Sequence, residues 1–233
     1  MMTLTDDQRM LADSVAPFMA DEGAIAKQLR HWRDIGCKDG FGHGLWKQFA
    51  ELGLTGILIP EAQGGAGLGM VEAGVVLEEI GRNLTPSPFL TTAVAAVRAL
   101  EGSAQAERWF PGIVAGDTVA ALAIDEGRHH GPASIAMAAK RSGNGFALNG
   151  TKQFISNAQR ARVAILFAVT DSLTLVSSTS NLRQLGVAAR QHQQLRGISS
   201  SGSRACRSRG RARTPGRAGR RGRRRRRPSS PHG

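Results

Sequence analysis

Four places in this 233-residue chain hold residue types that could do chemistry. Gly64-Gly65-Ala66-Gly67-Leu68-Gly69 is a glycine-rich loop of the sort that cradles phosphates. It fits G-x-G-x-x-G in no register, and no parallel strand-helix-strand unit frames it, so it reads as a surface loop between helices. His129-His130 has no further ligand at metal spacing and reads as a solvated pair. Glu78-Glu79 are neighbours on a helix, where adjacent side chains point different ways, so they read as a solvated face rather than an acid–base pair. Arg223 to Arg227 stand in an unbroken row. Such a run can neutralise phosphates without sequence preference, but no aromatic residue is interleaved to stack bases. No Ser/His/Asp or Cys/His arrangement is readable. No catalytic residue and no metal ligand is assigned from spacing alone.

The elements that would position such residues change character along the chain. Thr5 and Gln8 have capping-box spacing and open a helix with Met10, Leu11, Val15, Phe18 and Met19 on one face. Residues 45–52 form a second amphipathic helix, stopped by Gly53 in a left-handed cap. Ile57-Leu58-Ile59 is a short apolar run ended by Pro60. Helices are expected over residues 71–80, 89–101 and 103–114, the last limited or kinked by Pro111. After Asp117 the pattern turns strand-like. Residues 118–124, 135–139 and 163–169 are apolar runs, and Asn144-Gly145 and Asn149-Gly150 mark hairpin turns. The second turn would lead into a strand over Lys152 to Ser156. Residues 118–176 therefore read as a β-meander. From about residue 177 no period survives, and the last aromatic is Phe167. That segment cannot bury enough apolar surface to offset its chain entropy and is expected to be disordered.

Charge follows the same division. The formal net charge is +13, yet residues 172–233 hold sixteen Arg and no acid. The first 171 residues hold 15 basic residues against all 18 acids, a net of −3. The overall pI therefore says little about the globular part. Cys37 and Cys206 lie far apart and are expected to stay unpaired in a reducing cytoplasm. The N-terminus lacks the basic start and apolar run of a signal peptide. No run of about eighteen apolar residues is present to span a membrane.

LTDDQRMLADSV, WKQFAELGLTGILIPEAQGGAGLGMVEAGVVLEEIGR and GNGFALNGTKQFISNA, in this order and spacing, resemble the acyl-CoA dehydrogenase family over about residues 2–176. The resemblance implies a multi-domain α+β chain. Residues 1–117 would be the helical N-terminal domain, 118–176 an incomplete middle β-barrel, and 177–233 a disordered basic tail. It implies FAD, an acyl-CoA substrate, an electron-transfer flavoprotein that reoxidises the flavin, and assembly into a homo- or hetero-oligomer. The family's aromatic-Ile/Val-Thr/Ser flavin contact falls on Phe154, Ile155 and Ser156. Its second contact falls on Ala123 to Gly127, with Asp125 in the place of a threonine.

The resemblance stops where the family continues into a four-helix domain that carries the glutamate base. No glutamate follows Glu126 here. The chain is therefore expected to be truncated and inactive alone. One codon choice for Val176 to Asn181, read one base back, gives Leu-Val-Asp-Leu-Lys, which the family expects. A shifted frame near Leu175 would account for both the lost apolar period and the arginines. The other readings are a non-enzymatic protein whose arginine tail binds nucleic acid, and a non-catalytic subunit of a heteromeric dehydrogenase.

Overall fold

The computed structural model describes residues 3–143, 145–169 and 173–178. The tail expected to be disordered from residue 177 begins instead with the end of a strand at Ser177 and Ser178, and the rest of it, with the arginine run, lies outside the described residues. Helix α1 (Asp6–Asp21) starts as its sequence dictates: Gln8 N–H donates to Thr5 Oγ1 at 3.3 Å, and Thr5 N–H donates to Gln8 Oε1 at 3.0 Å. A π-helical turn, Ala26–Arg30, runs into α2 (His31–Asp34). Helix α3 (His43–Glu51) buries Leu45, Trp46 and Phe49 and ends at Gly53, whose φ of 73° only glycine adopts without cost. Helix α4 (Met70–Arg82) is tied to α1 by Gln8 Nε2, which donates to Glu72 Oε1 at 2.7 Å. A second π-helical stretch, Leu90–Ala96, continues into α5 (Val97–Leu100), and α6 (Ala106–Val114) accommodates Pro111.

The glycine-rich loop has a packing role. Ala66, Gly67 and Leu68 donate their backbone N–H groups to Gly56, Ile59 and Ile57, folding the loop back onto the buried Ile57 to Ile59 run. A Cβ on Gly65 would lie 2.0 Å from the Ile59 carbonyl oxygen, so only glycine fits there.

The β part is a mixed sheet in the order β3-β2-β4-β1, with β5 also on β4. Its strands are β1 (Ala120–Ala123), β2 (Ala138–Ser142), β3 (Gly145–Asn149), β4 (Val163–Val169) and β5 (Leu173–Ser178). This corrects the expected meander, because β1 pairs with β4 in parallel, Ala120 opposite Val163. A strand has two edges, and β5 occupies one of them from Ala164 to Val169. β1 therefore takes the other edge, and β2 joins beyond it at Ala138 and Val169. The long buried β4 acts as a central strand, which consecutive hairpins would not allow. The first hairpin also closes one residue early. Ser142 faces Gly145, so Gly145 already belongs to β3. The second turn leads into no strand: residues 151–155 pair with none of the described strands. Cys37 is disulfide-bonded, against the expectation of unpaired cysteines.

Alternation along β1 and β4 puts apolar residues on both faces. Ala120, Val163 and Ile165 face the helices and join one core with Phe49, Phe89, Phe110 and Ile113. Ala121, Ala123, Ala164 and Leu166 face the other way and pack with Ile155 and Ala158. Among the described residues no helix is long and apolar enough to cross a membrane.

Candidate functional site

The segment after the hairpin is where the backbone departs from ordinary geometry. Phe154 (φ 54°) and Asn157 (φ 58°) both lie in the left-handed region that non-glycine residues rarely adopt. Such conformations persist only where surrounding contacts impose them, and they cluster at functional sites. The two kinks bracket Ile155 and Ser156. Ile155 points into the apolar cluster beneath the sheet. Phe154, 48% exposed, and Ser156 point outward.

Two sets of bonds hold this segment. On its N-terminal side, Gln153 N–H donates to the Asp125 carbonyl at 2.7 Å, and Gln153 Nε2 donates to the Glu126 carbonyl at 3.0 Å. The Lys152 side chain is 0% exposed. Its ammonium donates to the Ile124 carbonyl at 2.8 Å and to Glu126 Oε1 at 2.7 Å. The Glu126 carboxylate also accepts from the backbone N–H of Ala136 and Met137. One ion pair thus ties together the end of β1, the approach to β2 and the kinked segment. Burial alone would raise the Glu126 carboxyl. The hydrogen bonds from Lys152, Ala136 and Met137 outweigh it and hold the group below its ordinary value. On the C-terminal side, Asn157 Nδ2 donates to Thr91 Oγ1 at 2.9 Å, fastening the kink to the helical part.

Between this segment and the helices lies a cleft of about 510 Å³. One wall is Phe154 to Asn157 with Gln159. The facing walls are Asp39-Gly40-Phe41 and Pro86-Ser87. Of the residues singled out in the sequence, Phe154, Ile155 and Ser156 come together there. Asp125 does not line the cleft. Its carboxylate accepts from Gly131 N–H at 3.1 Å and pairs with His130 Nδ1 at 3.0 Å. Burial would raise the Asp125 carboxyl, but these bonds hold it below its ordinary value. Asp125 meets the kinked segment through its backbone carbonyl instead.

His130 is accordingly a partner of Asp125, and no group of three or more metal-ligating side chains occurs among the described residues. Glu78 pairs with Arg82 on the surface, whereas Glu79 is buried while bonded to the same arginine, so only Glu78 fits a solvated face. Sequence reading missed Lys152, Asn157 and Asp39, and gave Glu126 no role beyond its place in the Ala123 to Gly127 stretch. A lysine inside the otherwise apolar or polar-neutral stretch TKQFIS was the available signal for Lys152. Asp39 carried none, since only His43 among its partners is near in sequence, while Gln159 and Arg160 lie over a hundred residues away.

A family model described as acyl-CoA dehydrogenase, N-terminal domain, matches residues 5–117. Mitochondrial isovaleryl-CoA dehydrogenase of Pongo abelii is 31% identical over 183 residues, which is 75% of this chain and 42% of that protein. The chain thus spans less than half the length of that relative. Among solved structures, the Tcur3481-Tcur3483 steroid ACAD superimposes with a TM-score of 0.68 at 30% identity, covering 76% of this chain and 49% of that one. The ChsE4-ChsE5 complex from Mycobacterium tuberculosis gives 0.66 at 25% identity, covering 76% and 48%.

Proposed function

The N-terminal part of the chain belongs to the acyl-CoA dehydrogenase family, and from that premise we propose that the chain supplies the cofactor-facing wall of an enzyme that removes hydrogen across the α,β-bond of an acyl-CoA thioester. The observation that carries the reading is the pair of left-handed kinks that turns Phe154 and Ser156 outward into a cleft, at the position where the family's flavin contact falls.

These residues fit a flavin. The exposed Phe154 ring offers a flat apolar face. The Ser156 hydroxyl is free to donate to a ring nitrogen. Ile155, locked beneath, fixes both. Asp125 contributes through the carbonyl that holds Gln153. Bound FAD would supply the two-electron acceptor, which no amino-acid side chain provides. The protein's part is to orient the ring, exclude water and hold a hydroxyl near the site of developing charge.

Proton abstraction needs a base close to the substrate α-carbon. The last glutamate, Glu126, is committed to Lys152 and two backbone N–H groups. We therefore infer that this chain by itself does not turn over. The base would come from a further helical part. An electron-transfer flavoprotein as electron acceptor, oligomeric assembly and a cytoplasmic location belong to the same reading. A second reading has support of its own: two of the matching structures, Tcur3481-Tcur3483 and the ChsE4-ChsE5 complex, pair two differently named proteins. On that reading a partner subunit supplies the missing helices.

The test is dye-coupled oxidation of a panel of acyl-CoA thioesters with added FAD. The chain alone is expected to show no turnover. Turnover on addition of a dehydrogenase subunit or C-terminal helical domain supports the proposal, and turnover by the chain alone refutes it.

A further inference from the structure

The facing walls of the cleft are bonded to each other at one end. Asp39 lines the cleft from the helical side, and Gln159 lines it from the kinked segment. From outside the cleft, Arg160 Nε lies 3.1 Å from Asp39 Oδ2. Gln159 Nε2 donates to the Asp39 carbonyl at 3.4 Å. His43, on α3, places Nε2 2.8 Å from the same Asp39 oxygen and 3.2 Å from an Arg160 NH2 nitrogen. The Asp39 carboxylate therefore sits at the centre of a small cluster made by three segments.

The loop carrying Asp39 turns on two glycines. Gly36 (φ 66°) and Gly40 (φ 77°) both adopt left-handed backbone, and a Cβ on either would meet nothing within 4 Å. Their positive φ is thus the reason for glycine, not crowding. Beyond Gly40 the wall is anchored, because Phe41 is buried in the helical core. Across the cleft, Asn157 is fastened to Thr91. Asp39 lies between the two glycines and next to these anchors, and its contacts with Gln159 and Arg160 bridge the gap.

We propose that Arg160 and Asp39 form a latch that holds the two cleft walls at a fixed separation, making them positioning residues for whatever occupies the cleft. That the occupant is a flavin or acyl group rests on the function proposed above, while the latch itself does not. The Arg160 side chain is 42% exposed, but its partner Asp39 is 12% exposed and keeps His43 beside it when Arg160 is removed, so R160A is read together with R160K, which retains the charge.

The experiment is amide hydrogen exchange on the full 233-residue chain, in reductant so that the Cys37 disulfide does not pin the loop. In R160A the amides of residues 38–41 and 155–160 are expected to exchange about tenfold faster, and at least three times more so than those of α4. R160K, which can still reach Asp39, should recover most of the protection. Acceleration confined to one wall, or equal acceleration in α4, would overturn the latch. A parallel FAD titration separates the two proposals. Absence of flavin binding to the unaltered chain counts against the proposed function, and the exchange result still decides the latch.

Discussion

Lys152 places an ammonium where no solvent reaches, and Glu126 answers it. Removing one member of a buried pair leaves an uncompensated charge, which costs more than the pair itself contributes. K152M is expected to lower unfolding free energy by about 3 kcal/mol, read from urea denaturation. The pH dependence has a definite sign. Glu126 and Asp125 are both held below the ordinary values of 4.5 and 3.8. A depressed folded pKa contributes stability that is present above the unfolded value and is lost as pH falls through the folded one. Stability should therefore decline below about pH 4.5, and E126Q should show a shallower decline than the unaltered chain. A decline of the same slope in E126Q would mean that other carboxylates dominate. Lys152 lay open to view in TKQFIS, but its role was not legible. Burial depends on the parallel β1–β4 pairing, which sets Ile124 and Glu126 beside it.

At the scale of elements, the contact between the Leu90–Ala96 turn and β1 depends on one hydroxyl. Thr92 Oγ1 accepts from Ala120 N–H at 3.0 Å and donates to the Ala120 carbonyl at 3.1 Å, and both residues are fully buried. T92V keeps the shape and removes both bonds, leaving two buried backbone groups unsatisfied. A loss of about 2 kcal/mol is expected, measured by thermal or urea unfolding; a change within error would show that water replaces the hydroxyl. The helices were readable because capping and apolar period are local signals, as Thr5 with Gln8 and Gly53 with its positive φ illustrate. The sheet order was not readable. Asn-Gly dipeptides announce turns but not which strands pair, and β4 pairs with β1 across thirty-nine intervening residues, 124–162. The kinked segment was misread as a strand for a related reason. Phe154 alternates like a strand residue, and only tertiary bonds from Gln153 and Asn157 force it out of one.

At the scale of the whole molecule, the helical part and the sheet share one core through Ala120, Val163 and Ile165. The cleft lies between a wall anchored in that core by Phe41 and a kinked segment anchored beneath the sheet by Ile155. Such a site can bind before it can catalyse. On the proposed function Phe154 and Ser156 would face the cofactor, and Asp39 is the one carboxylate that lines the cleft among the described residues. The most direct measurement is equilibrium titration of FAD into the purified chain and into S156A, followed by flavin fluorescence. Saturable quenching by the unaltered chain, weakened about fivefold in S156A, is the expected result, equivalent to the loss of one hydrogen bond of ~1 kcal/mol. No saturable binding, or binding indifferent to Ser156, would contradict a flavin site at the kinked segment.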